Sequence, residues 1–117
     1  MADWQSVGTA DMLPDGTMRE VKVSGETLLL VRAEGRYYAT QGLCPHLRAH
    51  LARGQLRGAV VTCPAHGSQF DITDGHNVAW IEGLPGLVKG VAQALTKPRN
   101  LATFPVKVEN GQVWVRL

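Results

Sequence analysis

Two short loops that combine cysteine with histidine constrain this chain more than any other feature. The first reads Cys44-Pro45-His46 and the second reads Cys63-Pro64-Ala65-His66. Together they give the pattern C-x-H, sixteen residues, C-x-x-H, which uses both cysteines and two of the four histidines. Thiolate and imidazole are ligands for zinc and for iron–sulfur clusters. The sequence therefore predicts a metal site with Cys44, His46, Cys63 and His66 as its ligands.

The distribution of the ligands between the loops separates these two kinds of centre. In zinc fingers with two cysteines and two histidines, the cysteines come together and the histidines follow. Here each loop supplies one of each, so that two facing loops place two thiolates on one side and two imidazoles on the other. A dinuclear cluster with one sulfur-ligated and one histidine-ligated iron requires that arrangement. A structural zinc module stays open as an alternative, and so do buried thiols beside unrelated histidines.

The rest of the chain predicts an all-β fold of short antiparallel strands in a single domain, residues 1–117. Turn residues recur about every ten positions, and Asn110-Gly111 between two alternating runs predicts a closing hairpin. Leu28–Val31 is a continuous apolar run, typical of a strand that is covered on both faces. Helical spacing of apolar residues predicts one short helix at 87–95. Strands are predicted at 4–9, 17–23, 26–33, 36–40, 59–61 (within the segment 56–62), 69–72, 103–109 and 112–117.

Composition excludes several functional classes. A formal net charge of +2 without a dense basic run gives no support for nucleic-acid binding. No stretch reaches eighteen apolar residues, so no membrane span is expected. The first nine residues lack the basic start and apolar centre of a secretory signal. We therefore expect a cytoplasmic protein.

The two loops resemble the cluster-binding boxes of the Rieske iron–sulfur family. The match extends over Cys44–Leu47 and Cys63–Asp71, and Gly54-Gln55-Leu56-Arg57-Gly58 matches the family's lead-in to its second box. The resemblance implies one 2Fe-2S cluster, with the cysteines on one iron and the histidines on the other. It also implies stacked antiparallel sheets with a small cluster-binding subdomain, about residues 41–75.

Departures from the family pattern indicate which branch the chain resembles. Members from cytochrome bc-type complexes carry an additional disulfide beside the cluster, but the corresponding positions here are Ala49 and Ala65. The chain resembles instead the ferredoxin branch that serves dioxygenase systems. Ser68 occupies the position of a hydroxyl donor to a cluster sulfur, whereas Phe70 replaces a second donor, a tyrosine. We therefore expect a reduction potential in the lower or middle part of the Rieske range, which is roughly −150 to +300 mV.

These observations predict an electron-transfer protein and not an enzyme. An oxygenase would need a further mononuclear iron on a separate large domain, for which 117 residues leave no room. The expected partners are a flavin- or NAD(P)H-dependent reductase and a terminal oxygenase or reductase. The alternative is a small redox subunit docked permanently in a larger enzyme such as nitrite reductase.

Other polar residues near the boxes have less specific patterns. His50 and His76 lack ligand spacing, so we expect them to be surface or turn residues. Arg48, Arg53 and Arg57 lie close to the boxes in sequence. Two interpretations of these arginines stay open: a docking patch for an acidic redox partner, or solvated charges without a partner.

Overall fold

The computed structural model describes residues 4–45, 48–65, 67–79, 86 and 99–117. Within these ranges the chain forms eleven strands and a 3₁₀ turn at Leu51–Arg53. The predicted helix at 87–95 lies outside the described residues. The strands are β1 Trp4–Thr9, β2 Thr17–Val23, β3 Glu26–Ala33, β4 Arg36–Gln41, β5 Gln55–Arg57, β6 Val60–Thr62, β7 Gln69–Asp71, β8 Asn77–Ala79, β9 Thr103–Phe104, β10 Val106–Glu109 and β11 Gln112–Arg116.

The strands make three antiparallel sheets, as the all-β prediction requires. Strand orders are β1-β11-β10, β2-β3-β4-β9 and β5-β6-β7-β8. The predicted final hairpin is present, because β10 and β11 flank Asn110-Gly111 and pair from Val106↔Val115 to Glu109↔Gln112. The small sheet β5–β8 lies entirely within the segment that follows the first Cys/His loop. The limits of a cluster-binding subdomain at 41–75 and of a single domain at 1–117 remain predictions.

Strand β3 is buried on both faces, which accounts for its unbroken apolar run. Leu29 and Val31 pack into one hydrophobic cluster, which also contains both cysteines. Leu28 and Leu30 point the other way, into a second cluster with residues of β11. Each of these four side chains is at most 1% exposed, and burial of one such side chain contributes about 1.5–3 kcal/mol. Strand β3 therefore lies between the two clusters and packs on one face into the cluster that contains both cysteines.

The structure divides one predicted strand and adds short elements to the others. The segment predicted as one strand at 103–109 is split at Pro105, which has no N–H for the sheet ladder. The short strand predicted at 59–61 is present as β6, and β5 is an additional strand that pairs with it across a turn at Gly58. Strand β8 and the 3₁₀ turn are additional, and at three residues each they are too short to give a periodic signal.

Tyr37 fastens the loop between β1 and β2 to β4, and its hydroxyl gives a first testable prediction. The hydroxyl donates to the Ala10 carbonyl over 2.9 Å and accepts from the Leu13 N–H over 3.3 Å. Tyr37→Phe leaves that buried N–H without its partner, so we expect a loss of about 1–3 kcal/mol in the free energy of unfolding. Tyr38→Phe is the matched control, with an expected change within about 0.5 kcal/mol. Denaturant titration of both variants measures the difference, and equal values would contradict the assigned role.

Candidate metal centre

The first Cys/His loop is closed by hydrogen bonds of the main chain of Cys44. Its N–H donates to the Ala49 carbonyl over 2.8 Å, and its carbonyl accepts from the Arg48 N–H over 2.8 Å. Leu43 and His50 form an isolated antiparallel bridge at the base of the loop. The loop therefore reverses the chain directly after β4, with Cys44 at its beginning.

The second loop repeats this scheme around Cys63. The Cys63 N–H donates to the Ser68 carbonyl over 2.8 Å, and its carbonyl accepts from the Gly67 N–H over 3.1 Å. Thr62 and Gln69 are paired at the base, in the ladder between β6 and β7. Cys63 therefore directly follows strand β6, and Cys44 follows strand β4 after Gly42 and Leu43.

The two loops are equivalent in backbone structure as well as in composition. In each loop the cysteine N–H bonds five residues ahead and the cysteine carbonyl bonds four residues ahead. The residue four positions after the cysteine is left-handed in both, with φ of +58° at Arg48 and +72° at Gly67. This repetition shows that the chain presents two cysteines from two copies of the same turn.

The two turns bury both thiols in one hydrophobic cluster. Cys44 is 1% exposed and Cys63 is 2% exposed, and both pack in the cluster that includes Leu51 and Val61. Ser68 and Phe70 are fully buried next to the second turn. Thiolate is the form of cysteine that binds metal, and a bound cation compensates the cost of its burial.

The donor set of the described residues fits the sulfur-ligated half of a Rieske centre. Two equivalent turns provide two buried thiols from opposite sequence boxes, as one sulfur-ligated iron requires. His46 and His66 lie outside the described residues, so their part in the site stays a prediction. Proline follows each cysteine, at Pro45 and Pro64, and fixes φ of the second residue in each turn.

Comparison with known proteins identifies the family. Residues 3–105 match the family model of the Rieske [2Fe-2S] domain. This chain belongs to the Rieske [2Fe-2S] domain family. Its cofactor is accordingly one Rieske-type 2Fe-2S cluster. The alternative of a structural zinc module is therefore rejected.

Several relatives of this Rieske domain are ferredoxin components of oxygenase systems. The ferredoxin component of naphthalene 1,2-dioxygenase/salicylate 5-hydroxylase systems from Ralstonia sp is 33% identical over 115 residues, 98% of this chain and 96% of the relative. The ferredoxin component of the naphthalene 1,2-dioxygenase system from Pseudomonas putida is 34% identical over 113 residues, 97% and 93% of the two chains. A solved complex of reduced oxygenase and oxidized ferredoxin in carbazole 1,9a-dioxygenase contains a chain that is 29% identical, with a TM-score of 0.77 and coverage of 95% and 99%.

These similarities agree with the prediction of an electron-transfer protein. The Rieske domain matches the ferredoxin components along nearly their whole length, and these are carriers and not catalytic subunits. Among the described residues, no helix has the length and apolar character needed to cross a membrane.

The two remaining histidines each contact a carboxylate. His50 Nδ1 lies 2.5 Å from Glu20 Oε1, so this pair joins the base of the first loop to β2. His76 Nδ1 lies 2.6 Å from Asp74 Oδ1, in the turn before β8. The N–H of His76 also donates to that carboxylate, and this hydrogen bond is the main reason why the pKa of Asp74 lies below its usual value. The absence of a functional role for either histidine stays a prediction.

Asp71, Asp74 and His76 also place potential metal-binding atoms within 4.8 Å of one another, a proximity that sequence spacing did not reveal. Asp71 Oδ1, however, already accepts from the N–H and the hydroxyl of Thr73. The Asp74 carboxylate is bonded to His76 as described above. These hydrogen bonds assign the three residues to turn formation.

Proposed function

We propose that this Rieske domain carries single electrons from a reductase to a terminal oxygenase, with Cys44, His46, Cys63 and His66 as the cluster ligands. When bound, such a cluster supplies one-electron redox chemistry and no bond chemistry on a substrate. The observation that carries the ligand assignment is the equivalence of the two cysteine turns. Each turn places its cysteine on the core side, and the histidine follows two or three residues later in the same loop.

The packing of the loops against each other supports a rigid site. The 3₁₀ turn that follows the first loop ends at Gly54, whose N–H donates to the Leu51 carbonyl over 3.0 Å. Gly54 in turn lies against Thr62 and Pro64 at the beginning of the second loop. The segment that follows the first loop therefore packs against the second loop. A rigid site lowers the reorganisation energy of electron transfer.

The proposed acceptor rests on the relatives. Two of them belong to naphthalene dioxygenase systems, and a chain similar to this one has been solved in complex with the oxygenase of carbazole 1,9a-dioxygenase. If the protein is a freely exchanging carrier, we expect the isolated protein to elute as a monomer in gel filtration. Obligate association with a larger enzyme would support the docked-subunit alternative. The cytoplasmic location belongs to the same proposal, and cell fractionation tests it.

Spectroscopy of anaerobically purified protein tests the assigned centre. We expect iron and acid-labile sulfide in equal amounts, near two of each per chain, with visible absorption from the oxidised form. Dithionite reduction should produce a paramagnetic resonance spectrum of one unpaired electron per chain. A colourless protein with stoichiometric zinc would overturn the proposal.

The surroundings of Cys63 also support a potential in the lower or middle part of the Rieske range. Hydrogen-bond donors to the cluster sulfurs stabilise the more negative reduced state of the cluster and thereby raise its reduction potential. Ser68 is buried beside the second turn and supplies one hydroxyl, whereas the buried ring of Phe70 supplies none. Phe70→Tyr should therefore raise the midpoint by about 60 mV, which corresponds to about 1.4 kcal/mol for one electron. Potentiometric titration measures the shift, and a midpoint of the natural protein near the upper limit would contradict the expectation.

A further inference from the structure

Positive charge is concentrated in the part of the chain that bears the two loops. Residues 41–70 contain three arginines and no aspartate or glutamate. They carry a formal charge of +3, so the other 87 residues together carry −1 of the net +2. All three arginines are exposed, and none forms an ion pair with any residue that the structure describes. Residues 41–70, here called the redox end, thus carry a positive charge on a nearly neutral protein.

Arg53 lies directly beside the second cysteine turn. It lines a groove of about 380 Å³ together with Cys63 and Pro64. Arg57 lies further from the site, since β5 pairs Gln55 with Thr62 but Arg57 with Val60. Two residues along a strand correspond to about 7 Å. The influence of the two arginines on the redox end should therefore differ.

Arg48 occupies a backbone position that suits glycine better. Its φ of +58° is left-handed, and the equivalent position in the second turn is Gly67. A left-handed backbone is sterically strained for arginine, whereas glycine adopts it without strain. Arg48 also lines a groove of about 430 Å³ with Lys22 and His50, in which Glu26 is the carboxylate. A strained position for an exposed arginine is consistent with a role for its side chain.

We propose that Arg48 and Arg53, beside the two cysteine turns, form a docking collar that binds carboxylates on the surface of the protein redox partner. The inference rests on the proposed function, because the collar is useful only where electrons enter and leave. Three separated charges are too few for nucleic acid, but they suit brief encounters between proteins, in which charge complementarity raises the association rate. Because the protein carries one cluster, its donor and its acceptor must approach the same arginines in turn.

Electron transfer to a small anion measures the field at this end. Dithionite-reduced protein is mixed with hexacyanoferrate(III), and one electron passes to iron(III), which becomes iron(II). At low ionic strength we expect Arg53→Gln and Arg48→Asn each to slow this reaction about threefold, and the double variant about tenfold. Arg57→Gln should have a smaller effect. With the cation tris(phenanthroline)cobalt(III) the same variants should react faster, and both differences should vanish at high salt.

The variants separate charge from structure. Arg48→Asn removes the charge with a residue that tolerates a left-handed backbone, and Arg48→Gly should raise the unfolding midpoint while it still slows the reaction. Arg36→Gln is the matched control, since exposed Arg36 begins β4 about 17 Å along the strand from Gln41. It should leave both rates unchanged.

Competition by a polypeptide tests for carboxylates. We expect poly-L-glutamate to inhibit oxidation of the natural protein and of Arg36→Gln by hexacyanoferrate(III). Poly-L-lysine should not inhibit this reaction. Poly-L-glutamate should have no effect on the double variant. Equal rates in all variants, or a response to hexacyanoferrate(III) without competition by poly-L-glutamate, would reject the collar while the cluster spectrum remained intact. Absence of that spectrum in the natural protein would reject the proposed function itself.

Discussion

His66→Ala protein is expected to retain less than a tenth of the iron of the natural protein and to lose its reduced-state resonance spectrum. The proposed centre has four protein ligands, and a missing imidazole leaves one iron open to water. Loss of even an outer-shell partner typically costs 10–100-fold in metal affinity, so loss of a ligand should cost at least that much. Iron analysis and paramagnetic resonance after anaerobic purification measure the effect.

His66→Cys distinguishes ligation from a structural role. A thiolate also binds iron, so this variant should keep iron but show altered visible and resonance spectra. His50→Ala and His76→Ala are the matched controls, because both histidines are partly exposed and contact carboxylates. Both controls should give the natural spectra. Natural spectra from His66→Ala would remove this residue from the ligand set.

The sequence predicted most of the fold where periodicity and turn chemistry are strong. Strands β1, β2 and β3 have the predicted limits, and the final hairpin follows from Asn110-Gly111. Three-residue strands such as β5 and β8 escaped prediction, because so few residues show no period. Pro105 was visible in the sequence, and its missing N–H was sufficient reason to expect an interruption.

The candidate site was predictable in its residue types but not in its backbone. Cysteine and histidine spacing indicated the cluster, because ligand chemistry depends on side chains. The equivalence of the turns depends on main-chain hydrogen bonds of Cys44 and Cys63, for which residue types give no direct signal. The left-handed conformation of Arg48 was hidden for a related reason, since arginine does not indicate a positive φ as Gly67 does.

Gly54→Ala is expected to destabilise the protein by about 3 kcal/mol or more and to reduce its cluster content. A Cβ at this position would overlap the Thr62 carbonyl oxygen and lie 3.1 Å from the Thr62 carbonyl carbon and 3.2 Å from Pro64 Cδ. The backbone at Gly54 is extended, with φ of −86°, so the cost comes from this contact and not from the dihedral angles. Because Thr62 and Pro64 flank Cys63, the clash must displace this proposed cluster ligand.

Gly58→Ala provides the control, in the hairpin that leads to Cys63. Its φ is +57°, but a Cβ there would meet no atom within 4 Å. Alanine should cost about 1–2 kcal/mol from the left-handed backbone alone and leave the cluster spectrum intact. Denaturant unfolding and iron content of the two variants thus separate backbone strain from steric displacement of Cys63. Equal behaviour would show that close contact at Gly54 does not position the ligand, whereas loss of iron in Gly54→Ala alone supports a site whose two turns are held together at this glycine.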